Sequence, residues 1–323
     1  MDPRFKNQMI FNVRKNEWNL DKIKIEIENI FKKINLINDW KFKESKWIVN
    51  KYSKRSKEEL KKSIFKTLRV TITDPSNKEY DYDIQIPALV YNQYFYINGN
   101  YKIPVFQLFD FPIIYRKNIL KLRLNTISTF IEMKPGKDMK LSIFGKNIPI
   151  ENLITAYHDK KELDDFINKT GTSNHLLIST ISKNCDNIWN SKTKTEIIED
   201  LGNKFIGKTG DAFKKGENII FSLKAALEID DYSKKFFKTD SILLEILNSI
   251  IEGQKADTSL NSKRVRFSEY VLSPLIKKFY DMLITLSQSS KNKFQIPQTI
   301  IMDKCNVSEI IHQNLSINPV SEI

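Results

Sequence analysis

The hydrophobic positions near the N-terminus predict two helices separated by a polar stretch. Residues 20–37 place isoleucines and a phenylalanine at three- and four-residue spacing, the period of an amphipathic helix. A polar stretch follows at residues 41–54. Ser56 then precedes charged residues and the apolar series Leu60, Ile64 and Leu68 at four-residue spacing. Because serine often caps a helix N-terminus, this series predicts a second helix from Ser56.

From residue 69 the hydrophobic spacing changes to the alternation that is typical of β-strands. Residues 70–72 and 82–86 each alternate apolar and polar side chains, and the Asp-Pro-Ser-Asn sequence at 74–77 predicts a turn between them. Further segments with strand character are residues 94–97, 103–108, 113–115, 120–124 and 128–133.

After about residue 147 the pattern becomes helical. Short to medium helices are predicted at residues 151–156, 160–169, 176–182, 194–204, 217–227 and 241–252. The longest candidate spans residues 263–287, where Pro274 predicts a kink or a fresh helix start. Its apolar stripe predicts a core face, with a subunit contact as the alternative. The stripe consists of Val271, Leu275, Ile276, Phe279, Leu283 and Leu286.

The order of these patterns predicts a mixed α+β fold. Alternating segments dominate before residue 147 and helical segments dominate after it, while residues 253–262 have the composition of a connector. We therefore predict one domain of strands and helices that is formed by residues 1–147 and 254–323. A smaller, mainly helical domain, residues 148–253, is inserted into it.

The charge of the chain has two interpretations. Its 323 residues carry a formal net charge of +13, and 41% of them are hydrophobic, which is enough for a sizeable core. A surplus of Lys and Arg attracts the phosphates of nucleic acids. Lys, Asn and Ile are abundant throughout, however, which is also expected of an AT-rich genome. Charge therefore supports a nucleic-acid role without establishing one.

Self-contained chemistry is not evident in the sequence. The cysteines, Cys185 and Cys305, lie far apart and the histidines are scattered, so no zinc site or disulfide framework is predicted. Paired carboxylates such as Asp230-Asp231 are interpreted as solvated or helix-end charges. The N-terminus lacks the apolar core of a signal peptide, and no charge-poor apolar run reaches the ~18 residues of a membrane span. These features predict a soluble protein of a reducing cytoplasm.

One generic motif, GNKFIGKT at residues 202–209, satisfies the spacing of a phosphate-binding P-loop. That chemistry requires a strand before the motif and a helix after it. The preceding residues 196–201 carry acidic side chains and are predicted to be helical, so we favour a chance match.

The most informative segment spans residues 82–113 and contains a predicted β-hairpin at Asn98-Gly99. It resembles the N-terminal part of the β subunit of multisubunit, DNA-dependent RNA polymerases. In that family a phenylalanine precedes an Ile-Asn-Gly turn, and a basic residue, a Val-x-Gln-Leu strand and a proline follow. The matching residues occur here in that order: Phe95, Ile97-Asn98-Gly99, Lys102, Val105, Gln107-Leu108 and Pro112.

A second segment resembles the same family. Lys263, Arg264 and Arg266 lie where the family carries a basic cluster entering a helix. Cations at a helix N-terminus are unfavourable with the helix dipole, so an external anion such as phosphate would compensate them. A solvated basic turn is the alternative interpretation.

A third segment, residues 307–322, resembles the family's rifampicin-pocket region, which lines the RNA path. Asn318 begins the closest match, Asn-Pro-Val-Ser-Glu. The family's RNA-contacting glutamine falls on His312 or, with a shift of one residue, on Gln313. The family's pocket aspartate falls on Leu315.

The resemblance implies a polymerase subunit with a protrusion-like domain and a reduced, lobe-like insertion, forming one wall of the cleft that holds DNA and the RNA–DNA hybrid. The three basic residues of the second segment would contact backbone phosphates, and His312, Gln313 and Asn318 would lie near the hybrid. Phosphodiester formation would use Mg²⁺ in the partner β′ subunit. No catalytic residue, metal ligand or cofactor is therefore expected in this chain.

The implied partners are the remaining β polypeptide, β′ polypeptides, template DNA and the RNA transcript, with a promoter-specificity subunit as a further candidate. The sequence ends where the family's β continues, so we expect either a fragment or a split β like that of large bacteriophages; an AT-rich organelle enzyme is the second choice. A phage enzyme would work in the host cytoplasm or be packaged in the virion. Two other functions stay open: a stand-alone basic nucleic-acid-binding protein, and a structural scaffold.

Overall fold

A computed structural model describes residues 18–37, 39–48, 64–90, 94–97, 100–102, 107–116, 119–132, 139–143, 145–172, 175–206, 210–252 and 263–288. Helices and antiparallel strands occur together in these residues, so the predicted mixed α+β class is confirmed. The chain forms two compact units. Unit 1 comprises residues 1–109 and 265–323, and unit 2 comprises residues 110–264.

Unit 1 contains helices at both ends of its described sequence and strands between them. Asn19 starts the first helix, because its side-chain oxygen accepts hydrogen bonds from the amides of Asp21 and Lys22. The elements are α1 (Leu20–Lys32), a 3₁₀ turn (Lys33–Leu36), β1 (Lys41–Ile48), β2 (Phe65–Thr73), β3 (Glu79–Pro87), β4 (Leu89–Val90), β5 (Tyr94–Ile97), β6 (Asn100–Lys102), β7 (Gln107–Asp110), β13 (Lys263–Arg266) and α9 (Ser268–Gln288); the unit boundary falls within β7 and β13.

The core of unit 1 includes α1, α9 and one face of the antiparallel sheet β1-β2-β3. The Phe31 ring on α1 lies with its centroid 6.0 Å from that of Tyr82 on β3 and 4.9 Å from that of Phe279 on α9. All six residues of the predicted apolar stripe on α9 are buried, which confirms the predicted core face. The helix continues through Pro274, so a fresh helix start does not occur there. Alternation buries Leu68, Val70, Ile72, Tyr80, Tyr82, Ile84 and Ile86 on β2 and β3.

A cluster of aromatic rings anchors the predicted hairpin. Phe95 on β5 is 1% exposed and lies 5.5 Å from Trp18 between ring centroids. Phe267 lies 5.4 Å from the same indole, whose N–H donates to the Pro87 carbonyl at 2.8 Å. Strands β5 and β6 pair with Ile97 opposite the first residue of β6, the register of the predicted hairpin; residues 98–99 themselves lie outside the described residues.

Unit 2 begins with an antiparallel sheet in which each strand pairs with its neighbour in sequence, in the order β12-β11-β10-β9-β8. Helices follow the sheet, and a helix occurs at each of the six places predicted between residues 151 and 252, together with a short unpredicted helix, Asp231–Lys234. The elements are β8 (Ile113–Arg116), β9 (Ile119–Arg123), β10 (Ser128–Glu132), β11 (Lys140–Ile143), β12 (Lys146–Pro149), α2 (Ile150–Tyr157), α3 (Lys160–Thr170), α4 (Leu176–Ser191), α5 (Lys194–Asn203), α6 (Ala212–Ile229), α7 (Asp231–Lys234) and α8 (Ile242–Ile251).

A buried carboxylate joins the sheet of unit 2 to its helices. Asp230, between α6 and α7, is 0% exposed. It accepts hydrogen bonds from the backbone and side-chain N–H groups of Asn125 at 2.6 and 3.1 Å, and from the amide and hydroxyl of Ser233, both at 3.0 Å. The interpretation of Asp230 as a solvated charge is therefore wrong. Its place at the end of a helix is confirmed.

The unit boundaries differ from the predicted domain boundaries. We predicted changes at 147/148 and 253/254, whereas the compact units change at 109/110 and 264/265. The switch from alternating to helical spacing near residue 147 is a change of secondary structure inside unit 2. The β9–β10 turn hydrogen-bonds to the α6–α7 junction, which places this sheet with the helices that follow it.

The predicted helix from Ser56 to Leu68 is wrong in its second half. Phe65 begins strand β2, which pairs with β1 on one side and β3 on the other, while residues 51–63 lie outside the described residues. The predicted polar stretch contains strand β1. The four-residue spacing of Leu60, Ile64 and Leu68 fits one face of a helix and also one face of a strand. Pairing of β2 with β1 and β3 favours the strand at Leu68.

Candidate nucleic-acid interface

The three basic residues of the second family-like segment lie on a strand. Lys263, Arg264 and Arg266 belong to β13, which pairs with β7, and helix α9 begins only at Ser268. The prediction that these cations open the helix is therefore wrong, and the argument from the helix dipole does not apply. Val265, between the arginines, is 63% exposed. Strand pairing at this place could not be read from local spacing.

Within unit 2, cations from two strands converge on the carboxylate of Asp110. Lys263 Nζ forms an ion pair with Asp110 Oδ1, and Arg123 Nη1 on β9 lies 3.3 Å from Asp110 Oδ2. Arg264 Nε donates to the backbone carbonyl of Asp110 at 3.5 Å. We name these four residues the Asp110 cluster. In the part of the chain that the structure describes, it combines one carboxylate with three cations, which is the composition of a site that attracts anions.

Aromatic rings hold Arg264 in this cluster. Its guanidinium carbon lies 5.0 Å from the ring centroid of Phe236, within the range of a cation–π contact. Phe236 also meets Phe111 edge-on, with 5.3 Å between the ring centroids. Arg264 is only 8% exposed, whereas the side chains of Lys263 and Arg123 are 25% and 38% exposed. The latter two are therefore the members that a ligand in solvent can reach.

Arg266 has a comparable aromatic support within unit 1. Its guanidinium carbon lies 3.6 Å from the ring centroid of Phe109 and 5.1 Å from that of Tyr270. A guanidinium that stacks on a ring loses less conformational freedom when it contacts a phosphate. The first turn of α9 carries the buried Glu269 instead of a cation, which agrees with the helix dipole.

The remaining predicted sites are distributed as follows. His312, Gln313 and Asn318 lie outside the described residues. Gly202 of the P-loop-like motif lies in helix α5 and follows helical residues, so the strand that a P-loop requires does not precede it. Residues 207–209 of the motif lie outside the described residues.

Unit 2 also contains a serine–histidine–glutamate arrangement that sequence reasoning missed, because Ser241 lies far from His158 and Glu162 in sequence. The Nδ1–H of His158 donates to Glu162 Oε2 at 3.0 Å, and Ser241 Oγ lies 2.7 Å from Nε2. Ser241 is 4% exposed, and its hydroxyl oxygen also accepts from the amides of Leu243 and Leu244 at the start of α8. A nucleophile requires an accessible hydroxyl. We therefore assign these residues to holding helices together.

This arrangement predicts a loss of stability in mild acid. Burial lowers the pKa of His158 below its ordinary value of 6.5, and the nearby ammonium of Lys194 lowers it further. The carboxylates of Glu162 and Asp159 oppose this shift without cancelling it. The neutral imidazole therefore stabilises the fold fully above the unfolded pKa, and this contribution is lost as pH falls through the lowered pKa. Urea unfolding at about pH 7.5 and about pH 5.5 measures the loss, which should shrink in His158→Gln. An unchanged pH dependence in that variant would contradict the assignment.

Among the described residues, no group of three or more His, Cys, Asp and Glu side chains is placed to hold a metal ion. Burial raises the pKa of the Cys185 thiol to about 12, so this cysteine is not a nucleophile at neutral pH. Within the same part of the chain, every helix is too short or too polar to cross a bilayer.

Comparisons of the sequence with known proteins do not assign a family. No protein-family model matches the chain, and no curated protein matches it.

Proposed function

We propose that this chain is the N-terminal part of the β subunit of a multisubunit DNA-dependent RNA polymerase. Its role is to form one wall of the cleft and to contact nucleic-acid backbone during transcription. Nucleotide addition with Mg²⁺ belongs to the partner β′ subunit, and the remaining β polypeptide, template DNA and transcript complete the assembly. The proposed setting is the cytoplasm of a bacterial host of a large phage.

The pairing of β7 with β13 is the observation that carries this proposal. Each strand contains part of one of the family-like segments, and more than half of the described chain separates the two strands in sequence. Gln107 and Leu108 belong to the first segment, and the basic residues of β13 belong to the second. Two chance resemblances have no reason to form one sheet, whereas two segments that belong to one folded domain do.

Phosphate contact by β13 gives a measurable prediction for Arg266. Replacing it with glutamine should weaken binding to a short RNA–DNA hybrid to a similar degree for every sequence tested. The slope of log K against log salt concentration should fall by about 1, the contribution of one phosphate contact. Fluorescence anisotropy over a series of salt concentrations measures both.

The matched control for Arg266→Gln is Lys224→Gln, which removes one exposed cation from helix α6. The control should leave the salt slope nearly unchanged, because the slope reports the cations that contact phosphates and displace counterions, and Lys224 is proposed to make no such contact. If both variants lower the affinity and the salt slope equally, Arg266 contributes only through the net charge of the chain and makes no specific phosphate contact. A loss confined to one nucleic-acid sequence would contradict backbone contact.

Affinity purification of the chain from its native source tests the proposed assembly. We expect co-purifying polypeptides that carry the rest of β and a β′ metal-binding loop, identified by mass spectrometry. A monodisperse monomer that binds DNA in isolation would support the stand-alone nucleic-acid-binding protein instead. A chain without salt-dependent binding would support the scaffold, in which the charge reflects codon usage alone.

A further inference from the structure

We infer that the cations around Asp110 form a phosphate-binding site, and that the Asp110 carboxylate pairs with these cations when no nucleic acid is bound. Arg123 is then a further phosphate-contacting residue of this chain. The site is the Asp110 cluster. The inference rests on the proposed function, since it assigns its ligand as backbone phosphate of nucleic acid. It adds Arg123, which belongs to β9 and to none of the segments that resemble the polymerase family.

The geometry of the cluster supports an anion site. The ammonium of Lys263 and the guanidinium of Arg123 approach different oxygens of the same carboxylate, Oδ1 and Oδ2. Two cations that straddle two oxygens present the spacing that also suits two oxygens of a phosphate. Arg264 approaches the backbone carbonyl of Asp110 and is held by Phe236, so it adds charge from a fixed position.

Exposure of the cluster decides which of its members meet the ligand. The side chain of Asp110 is 20% exposed, and those of Lys263 and Arg123 are 25% and 38% exposed. A phosphate can therefore reach the two cations from solvent without unfolding of the unit. The carboxylate repels that phosphate while it holds the cations in place. Asp110 thus lowers the affinity of the site for phosphate and fixes the positions of Lys263 and Arg123 when no nucleic acid is bound.

Replacing Asp110 with asparagine tests this role, because the amide preserves the shape of the side chain and removes its charge. Binding of the full chain to a short RNA–DNA hybrid should become about threefold to tenfold tighter at moderate salt, since one repulsive charge near the phosphates is lost. Arg123→Gln should weaken binding and reduce the salt slope by about 0.9, whereas Arg123→Lys should retain the slope. Circular dichroism melting curves establish that each variant is folded.

Asp83→Asn is the matched control for net charge. Asp83 accepts two hydrogen bonds of 2.7 Å from Arg69 on the neighbouring strand, so this variant removes a carboxylate from another arginine in unit 1. Affinity should change less than about twofold in this control. Equal tightening by Asp83→Asn and Asp110→Asn, or no tightening by Asp110→Asn, would overturn the inference.

The result for the unsubstituted chain separates the inference from the proposed function. Salt-dependent binding by this chain, together with unchanged affinity in Asp110→Asn and Arg123→Gln, leaves the proposed function standing and refutes the assignment of the Asp110 cluster. Absence of salt-dependent binding by the unsubstituted chain contradicts both. Tightening in Asp110→Asn with weakening in Arg123→Gln supports both.

Discussion

Substitution of Gly216 by alanine should lower the free energy of unfolding of unit 2 by about 2 kcal/mol or more, through overpacking. A Cβ atom at this position would lie 2.0 Å from the backbone carbonyl oxygen of Ile198 on α5. The reciprocal contact occurs at Gly202 on α5, where a Cβ would lie 1.7 Å from the carbonyl oxygen of Ala212 on α6. Neither oxygen can move without displacing a helix. Alanine at Gly202 should therefore be comparably damaging.

Helix propensity alone would favour alanine at both positions, so a loss of stability must come from the close approach of the two helices. Both glycines lie within helices, where alanine would ordinarily add about 0.5–1 kcal/mol of stability. Gly210→Ala is the control, because its Cβ would meet only the flexible Ile206 side chain at 3.4 Å. Chemical unfolding and amide hydrogen exchange of α5 and α6 measure the effect. Stabilisation by Gly216→Ala would show that the two helices do not pack this closely.

Loss of the Asp230 carboxylate should destabilise unit 2 by about 3 kcal/mol, because Asp230→Ala leaves several buried donors without an acceptor. The donors are the backbone and side-chain N–H groups of Asn125 and the amide and hydroxyl of Ser233. Ser233 is itself 0% exposed, so water does not readily replace the carboxylate. Asp230→Asn should also destabilise, because its amide group would face donors with a donor.

The adjacent Asp231 supplies a matched control. It carries the same charge one residue later, but its side chain is exposed. Asp231→Ala should change the free energy of unfolding by no more than about 0.5 kcal/mol. Urea unfolding of both variants gives the comparison, and hydrogen exchange near Asn125 reports whether the β9–β10 turn has opened. Equal losses in the two variants would show that the charge, and not the buried hydrogen bonds, matters.

The candidate site was only partly predictable from the sequence. Residue type identified Lys263, Arg264 and Arg266, because clustered cations stand out locally. Their environment was not predictable. The partner Asp110 lies more than a hundred residues away in sequence, and Arg123 lies on a third strand. The pairing of β7 with β13 brings Lys263 and Arg264 to Asp110, and a contact from β9 in another sheet adds Arg123, so local spacing carried no signal for the cluster.

The periodicity of hydrophobic residues determined the fold class of this protein and most of its helices and strands. The helices between residues 151 and 252 follow from their apolar spacing and from caps such as Thr193 and Asp159, whose side chains bond to amides three residues later. The alternation of apolar and polar residues in β2 and β3 likewise indicates which side chains face the core. These signals need only a few neighbouring residues, because 3.6-residue and two-residue periods are properties of the backbone itself.

Tertiary structure decided what those signals leave open. It assigned Phe65 and Leu68 to a strand and made the long helix begin only at Ser268, because partner strands satisfy backbone groups that a helix would otherwise satisfy internally. It also placed Gly202 against the backbone of helix α6. Unit 2 begins at residue 110 and not at the predicted residue 148, because the sheet β8–β12 packs with the helices that follow it. Each of these outcomes depends on atoms that are distant in sequence. Short-range spacing therefore determines the elements, and long-range contact determines their partners and their chemistry.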